Sequence, residues 1–144
     1  MSTVDALQKA LAAEHAAVWA YGLIGGQLVN TARQQLATEC LGAHATRRDA
    51  LVATLTARKA TPVQAEAGYE VPQPVRDPAS AYALAVHVEE GVAAAWRAAL
   101  AGTAERQVRQ TGLAALTDAS NRAVTWRTAA GKTPATVPLP GIAP

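Results

Sequence analysis

The chain has 144 residues, a net charge of +2, no phenylalanine and one cysteine, and alanine supplies about a quarter of it. This length predicts one domain spanning 1–144, and the interspersed charges do not form the concentrated basic face expected of a nucleic-acid-binding protein. Because Cys40 is the single cysteine of the sequence, an internal disulfide is excluded. The lack of a leader pattern or a long apolar run predicts a cytoplasmic protein without a membrane partner.

The first predicted helix spans about 2–30. It begins at Ser2, and Asp5 lies three residues later, where it completes a variant of the capping box. Apolar residues then recur every three or four positions, as they do on the buried face of a bundle helix. Gly25 lies in this apolar stripe, so we expect a neighbouring helix to approach closely there.

The second predicted helix spans about 31–59 and ends before Pro62, because proline disfavours a helical conformation in the residue preceding it. The stretch 62–78 is rich in proline and has no helical period. It therefore predicts a long crossover to the third helix.

The third predicted helix begins at Asp77 and Pro78, an N-cap acid followed by proline at the first helical position, and ends near Ala101. The fourth spans about 103–131. The tail, 133–144, holds four prolines and is expected either to lie along the helices in an extended form or to be disordered.

Long helices in two hairpins, joined by one long crossover, are typical of a ferritin-like topology. We therefore predict an all-α fold, a ferritin-like up-down four-helix bundle with the crossover between its second and third helices.

Polar residues interrupt the apolar stripes of three predicted helices. A buried charge costs several kcal/mol unless it is paired, so these side chains should point at one another. We predict a buried network with Arg48 as the counter-ion of the carboxylates and with Tyr21 on the same helix face as the first of them; its members are Glu14, Tyr21, His44, Arg48 and Glu89.

A di-iron centre is not expected. Such a centre needs a Glu-x-x-His pair on two helices, but Leu41 lies three residues before His44, and the fourth helix has no histidine. A structural network is therefore our first interpretation, with no catalytic residue and no cofactor. The alternative is a single metal ion held by Glu14, His44 and Glu89, in a metal-binding protein or a metal-dependent enzyme.

Further expectations concern the surroundings of the network and the oligomeric state. Asp49 is expected to support an arginine, and Asp118 and Arg122 are expected to form a surface pair. A third functional interpretation is a small-molecule pocket beside the network, with Tyr21 and Trp19 or Trp96 as its walls. A homodimer is also expected, formed by an alanine-rich helix face and the apolar tail.

Several short motifs, spread from about residue 5 to residue 141, resemble a family of uncharacterised bacterial ferritin-like proteins. The resemblance implies a ferritin-like four-helix bundle with no established activity, and it does not supply the missing di-iron ligands. The residues that carry it are Glu14-His15-Ala16-Ala17, Tyr21-Gly22, His44-x-x-Arg47-Arg48-Asp49, Ala67-Gly68-Tyr69 before Pro72, and Glu89 followed by Ala95-Trp96-Arg97.

Overall fold

The computed structural model describes residues 1–142, and within them the chain forms four α-helices and no β-strand. This confirms the all-helical fold class. The predicted tail extends two residues further, to 144, and those two lie outside the described residues. None of the helices described is long and apolar enough to cross a membrane. The helices are α1 (Thr3–Gln27), α2 (Thr31–Ala57), α3 (Pro78–Ala101) and α4 (Arg106–Ala129).

Side-chain caps set three of the helix starts. The Ser2 hydroxyl accepts from the backbone N–H of Asp5, which completes a capping box at α1, and Asp77 caps α3 with Pro78 in the first turn. These starts were predicted. Helix α1 ends three residues earlier than predicted because Asn30 caps α2 instead, through its bond to the N–H of Arg33.

Helix α4 begins at Arg106 rather than at Thr103. Glu105 precedes it without a side-chain capping bond, and Thr103 is used elsewhere. Its hydroxyl lies 2.8 Å from that of Thr3, which joins the start of α1 to the end of α3. Arg58 likewise joins the end of α2 to Glu105 at the start of α4. Because each contact joins the start of one helix to the end of another, α1 runs antiparallel to α3, and α2 runs antiparallel to α4.

The helices pack unequally. Helix α3 packs against α4 and α1, and α1 packs against α2. Helices α2 and α4 instead face each other across a groove of about 320 Å³ whose floor includes Leu7 of α1. Three sides of the helix arrangement are thus closely packed, and the fourth side is open.

The buried core consists of two apolar clusters. One surrounds Leu11 and Trp96, and the other surrounds Ile24 and Trp126. Gly25 does not mediate the close approach predicted for it, because no atom of another described segment lies within 4 Å of where its Cβ would be. The neighbouring Ile24 is the fully buried residue at this level.

The non-helical segment between α2 and α3 runs along α1. Gln8 fixes it by donating to the carbonyl of Thr61 at 2.7 Å and accepting from the N–H of Val63 at 2.8 Å. The ring of His15, which is half-buried, also lies 3.0 Å from the carbonyl oxygen of Val63. These contacts hold the segment against α1 at the level of its first four turns.

The described part of the tail lies on α3 and α4. Arg127 donates to the carbonyl of Ala135 at 3.1 Å, and Arg97 donates to that of Pro140 at 3.2 Å. The apolar side chains of Val137, Leu139 and Ile142 are exposed. The tail is therefore attached through its backbone while its larger apolar side chains face outward.

Candidate functional site: a buried layer of Glu14, His44 and Glu89

Glu14, His44 and Glu89 form a polar layer between the two apolar clusters. They come from the middles of α1, α2 and α3, and each is at most 1% exposed. Each lies on a helix face whose other members are apolar, so packing those faces together brings the three polar groups into contact. Ionised groups at this depth require close partners.

The imidazole of His44 bridges the two carboxylates. Its Nδ1 lies 2.6 Å from Oε2 of Glu14, and its Nε2 lies 2.9 Å from Oε1 of Glu89. A neutral imidazole has one N–H donor, whereas both nitrogens donate in the imidazolium. Two ionised carboxylates at these positions therefore favour the charged ring.

The pKa of His44 follows from this geometry. Burial by itself would lower that pKa, but the hydrogen bonds and the charges of Glu14 and Glu89 outweigh burial and raise it from 6.5 to about 9. At neutral pH the His44 ring is therefore an imidazolium.

Two tryptophans and a tyrosine complete the layer. Trp96 Nε1 donates to Oε1 of Glu14 at 2.8 Å, and Tyr21 donates to Oε1 of Glu89 at 2.6 Å. Trp126 Nε1 in turn donates to the hydroxyl oxygen of Tyr21 at 2.8 Å. Burial and the charge of Glu89 raise the pKa of Tyr21 well above its usual value, so this hydroxyl remains a donor. All four helices thus contribute to the layer.

Oε2 of Glu89 is the exception, because it is buried without a hydrogen-bond partner among residues 1–142. Such a group costs about 1–3 kcal/mol. Burial, with the charge of Glu89 as a second cause, also raises the pKa of the Cys40 thiol. Of the two buried carboxylates, Glu89 is therefore the one with fewer of its oxygens hydrogen-bonded.

In its present geometry the layer leaves no ring nitrogen of His44 free for a metal ion. A metal ion needs a deprotonated ring nitrogen with a free lone pair, and each nitrogen of His44 is directed at a carboxylate oxygen. Within residues 1–142, no three histidine, cysteine or acidic side chains are grouped so that they could hold a metal ion. Ligation would require one ring nitrogen of His44 to exchange its carboxylate partner for the metal ion, while the other nitrogen kept its bond.

The structure corrects the prediction for Arg48. Its Nε donates to Oδ1 of Asp49 at 2.9 Å, and the two side chains are 30% and 68% exposed. The guanidinium therefore points out of the layer. His44 already bridges Glu14 and Glu89, and a second buried cation would add its own large desolvation penalty.

The partner predicted for Asp118 is also corrected. Its Oδ2 accepts from Nη2 of Arg47 on α2 at 3.0 Å, so the pair links α2 to α4 and does not run along α4 to Arg122. Helix spacing alone cannot reveal such a pair, because it depends on which helices face each other.

The pocket walls expected beside the network are not arranged as predicted. Tyr21 and Trp96 are at most 1% exposed and donate into the layer, while Trp19 packs on Tyr69 with the ring centroids 5.7 Å apart. The donor roles of Trp96 and Trp126 were missed by the sequence analysis. The available signal was an indole N–H on a buried helix face, which usually requires an acceptor.

A solved structure supports the fold, and the comparisons with known proteins leave the role open. Residues 6–144 match a family model described as a domain of unknown function (DUF4439). The chain is similar to a crystal structure of a conserved hypothetical protein from Mycobacterium tuberculosis. The two are 35% identical with a TM-score of 0.84, and the match covers 88% of this chain and 96% of that one. No curated protein matches the sequence.

Proposed function

The chain belongs to the family described as a domain of unknown function (DUF4439), and on that premise we propose a structural role for its polar centre. In this proposal the chain is a non-catalytic, ferritin-like four-helix bundle. The layer of Glu14, His44 and Glu89 takes the place that a metal centre has in ferritin-like di-iron proteins and holds the helices in register.

One observation carries the proposal, namely that both ring nitrogens of His44 are bonded to carboxylates of two other helices. A displacement of α2 along its axis by one residue moves the imidazole about 1.5 Å and breaks both bonds. Buried polar groups are known to specify register in helical assemblies. The layer therefore favours a single alignment of α1, α2 and α3.

Burial supports a structural rather than a catalytic role. Glu14 and Glu89 are 0% exposed and His44 is 1% exposed. The groove between α2 and α4 is lined by other residues of the described chain. A substrate could reach the imidazole only if helices separated.

Metal analysis tests the proposal against the alternative of a single-metal protein. We expect wild-type protein, purified without chelators, to contain well under one equivalent of iron, manganese or zinc by mass spectrometry. We also expect His44→Gln to leave the metal content unchanged. A stoichiometric metal that is lost in His44→Gln would overturn the structural interpretation and favour ligation by Glu14, His44 and Glu89.

A further inference from the structure

We propose that the groove between α2 and α4 binds a medium-chain fatty acid, with the carboxylate at Arg47 and the alkyl chain over Leu51 and Val108. This proposal does not depend on the role of the buried layer, since the groove shares no residue with Glu14, His44 or Glu89.

The groove floor is apolar and is built from three helices. Leu7 of α1, Leu51 of α2 and Val108 of α4 line it, and Ala43 and Ala50 keep its α2 wall low. Its volume of about 320 Å³ lies at the lower end of the range for small-molecule sites, which are mostly apolar with a few polar groups. An alkyl chain suits this lining.

Guanidinium N–H groups at the groove favour an acid over a neutral lipid. Arg47 and Arg58 line the groove, and no acidic side chain of the described chain does so. Each of the two arginines also pairs with a carboxylate that lies outside the lining, Arg47 with Asp118 and Arg58 with Glu105. The hydroxyls of Thr46 and Thr54 donate to carbonyls of their own helix. On the α2 wall, the donors available to a ligand are therefore guanidinium N–H groups.

The two arginines differ in how many of their guanidinium N–H groups already donate to a carboxylate. Arg58 donates from both terminal nitrogens to Glu105, which closes its end of the groove. Arg47 donates from Nη2 alone to Asp118, and its Nε and Nη1 have no protein partner within residues 1–142. A guanidinium with free N–H groups is well suited to a carboxylate, so the acid group is assigned to Arg47.

The distance from Arg47 to Arg58 sets the class of acid, within a groove that also extends past Arg47 to Ala43. Arg58 is the C-cap of α2 and lies eleven positions after Arg47, so their Cα atoms are about 16 Å apart. An extended decanoate, with carbon–carbon bonds of about 1.5 Å, is shorter than this span and fits lengthwise. A long-chain acid would have to pass the Arg58–Glu105 pair.

Calorimetric titration with decanoate tests the assignment. We expect saturable binding of one decanoate per chain, at least tenfold weaker binding of decanol, and no saturable binding of acetate. Arg47→Gln should weaken decanoate binding at least tenfold. The matched control Arg48→Gln, which removes a neighbouring arginine outside the groove, should change it less than twofold.

A second pair of variants tests the alkyl site. Ala50→Phe fills the groove and should abolish decanoate binding, whereas Ala53→Phe, at an exposed position outside the groove, should not. Circular dichroism of all four variants establishes that they are folded. Absence of saturable binding to wild type, or equal effects within either matched pair, would overturn the proposal.

Discussion

The buried layer and the groove between α2 and α4 both contain charged side chains, but these side chains differ in their exposure to solvent. His44 and its two carboxylates are at most 1% exposed. In the pair that crosses the groove, Arg47 is 22% exposed and Asp118 is 46% exposed. Exposed pairs contribute little, about 0–1 kcal/mol, because water and salt screen them. Removing one partner of a buried pair costs several times more.

The comparison shows why α2 uses a histidine inside and arginines outside. An imidazole bridges two carboxylates over a short distance, through donors on opposite sides of a compact ring. Arg47 and Arg48 have long side chains that carry their charge away from the core while the aliphatic part remains packed. The same helix therefore supplies an interior cation and surface cations without placing two positive charges in the layer.

The largest expected effect is that of His44→Leu. This substitution leaves the carboxylates of Glu14 and Glu89 buried without their shared cation, so we expect a loss of about 3–5 kcal/mol in the free energy of unfolding. Chemical denaturation of wild type and variant measures it.

A compensated variant separates charge from shape in that experiment. In Glu14→Gln/His44→Leu/Glu89→Gln no buried charge remains unpaired, so part of the lost stability should return. If the triple variant is less stable than His44→Leu alone, unpaired charge is not the cause of the loss.

The next effect is a dependence of stability on pH. The pKa of His44 is about 9 in the folded protein, against an ordinary value of 6.5, so the folded state holds this proton more tightly than the unfolded state. The resulting stabilisation of about 3 kcal/mol is fully present below pH 6.5 and is lost as the pH rises through about 9. Denaturation midpoints at intervals from pH 6 to pH 9 should show this decline.

His44→Gln provides the control for the pH series, because glutamine does not titrate in this range. Its stability should be lower than that of wild type at pH 6 and should change far less up to pH 9. An equal slope in the two proteins would assign the pH dependence to another group.

The smallest expected effect is that of Arg48→Ala. The Arg48–Asp49 pair is largely solvated, so its removal should change the free energy of unfolding by less than about 1 kcal/mol. Thermal denaturation beside His44→Leu sharpens the contrast between interior and surface. A loss as large as that of His44→Leu would contradict the surface position of Arg48 and indicate that it pairs with the buried carboxylates.

Local signals in the sequence account for the parts of the fold that could be predicted. Ser2 and Asp77 mark helix starts because their side chains satisfy N–H groups that a helix leaves free. Glu14, His44 and Glu89 interrupt apolar stripes, and this pattern indicates that they face the interior. Such features depend on neighbours within one helix.

The features that could not be predicted depend on how helices face each other. Asp118 pairs with Arg47 only because α4 lies opposite α2, and the spacing within α4 favours Arg122 equally well. Arg48 is one turn after His44 on the same helix face. The spacing gives its position on that face but not the direction of its long side chain, which turns outward to Asp49. The open side between α2 and α4 has no counterpart in the pattern of either helix.

The two oxygens of Glu14 serve different helices, since Oε2 accepts from His44 of α2 and Oε1 accepts from Trp96 of α3. A substitution at this one position therefore removes hydrogen-bond partners from two other helices at once. Homologous chains should accordingly vary here in concert: where an aliphatic residue replaces Glu14, the positions of His44, Glu89 and Trp96 should change with it, and sequences that alter only one of the four should be rare.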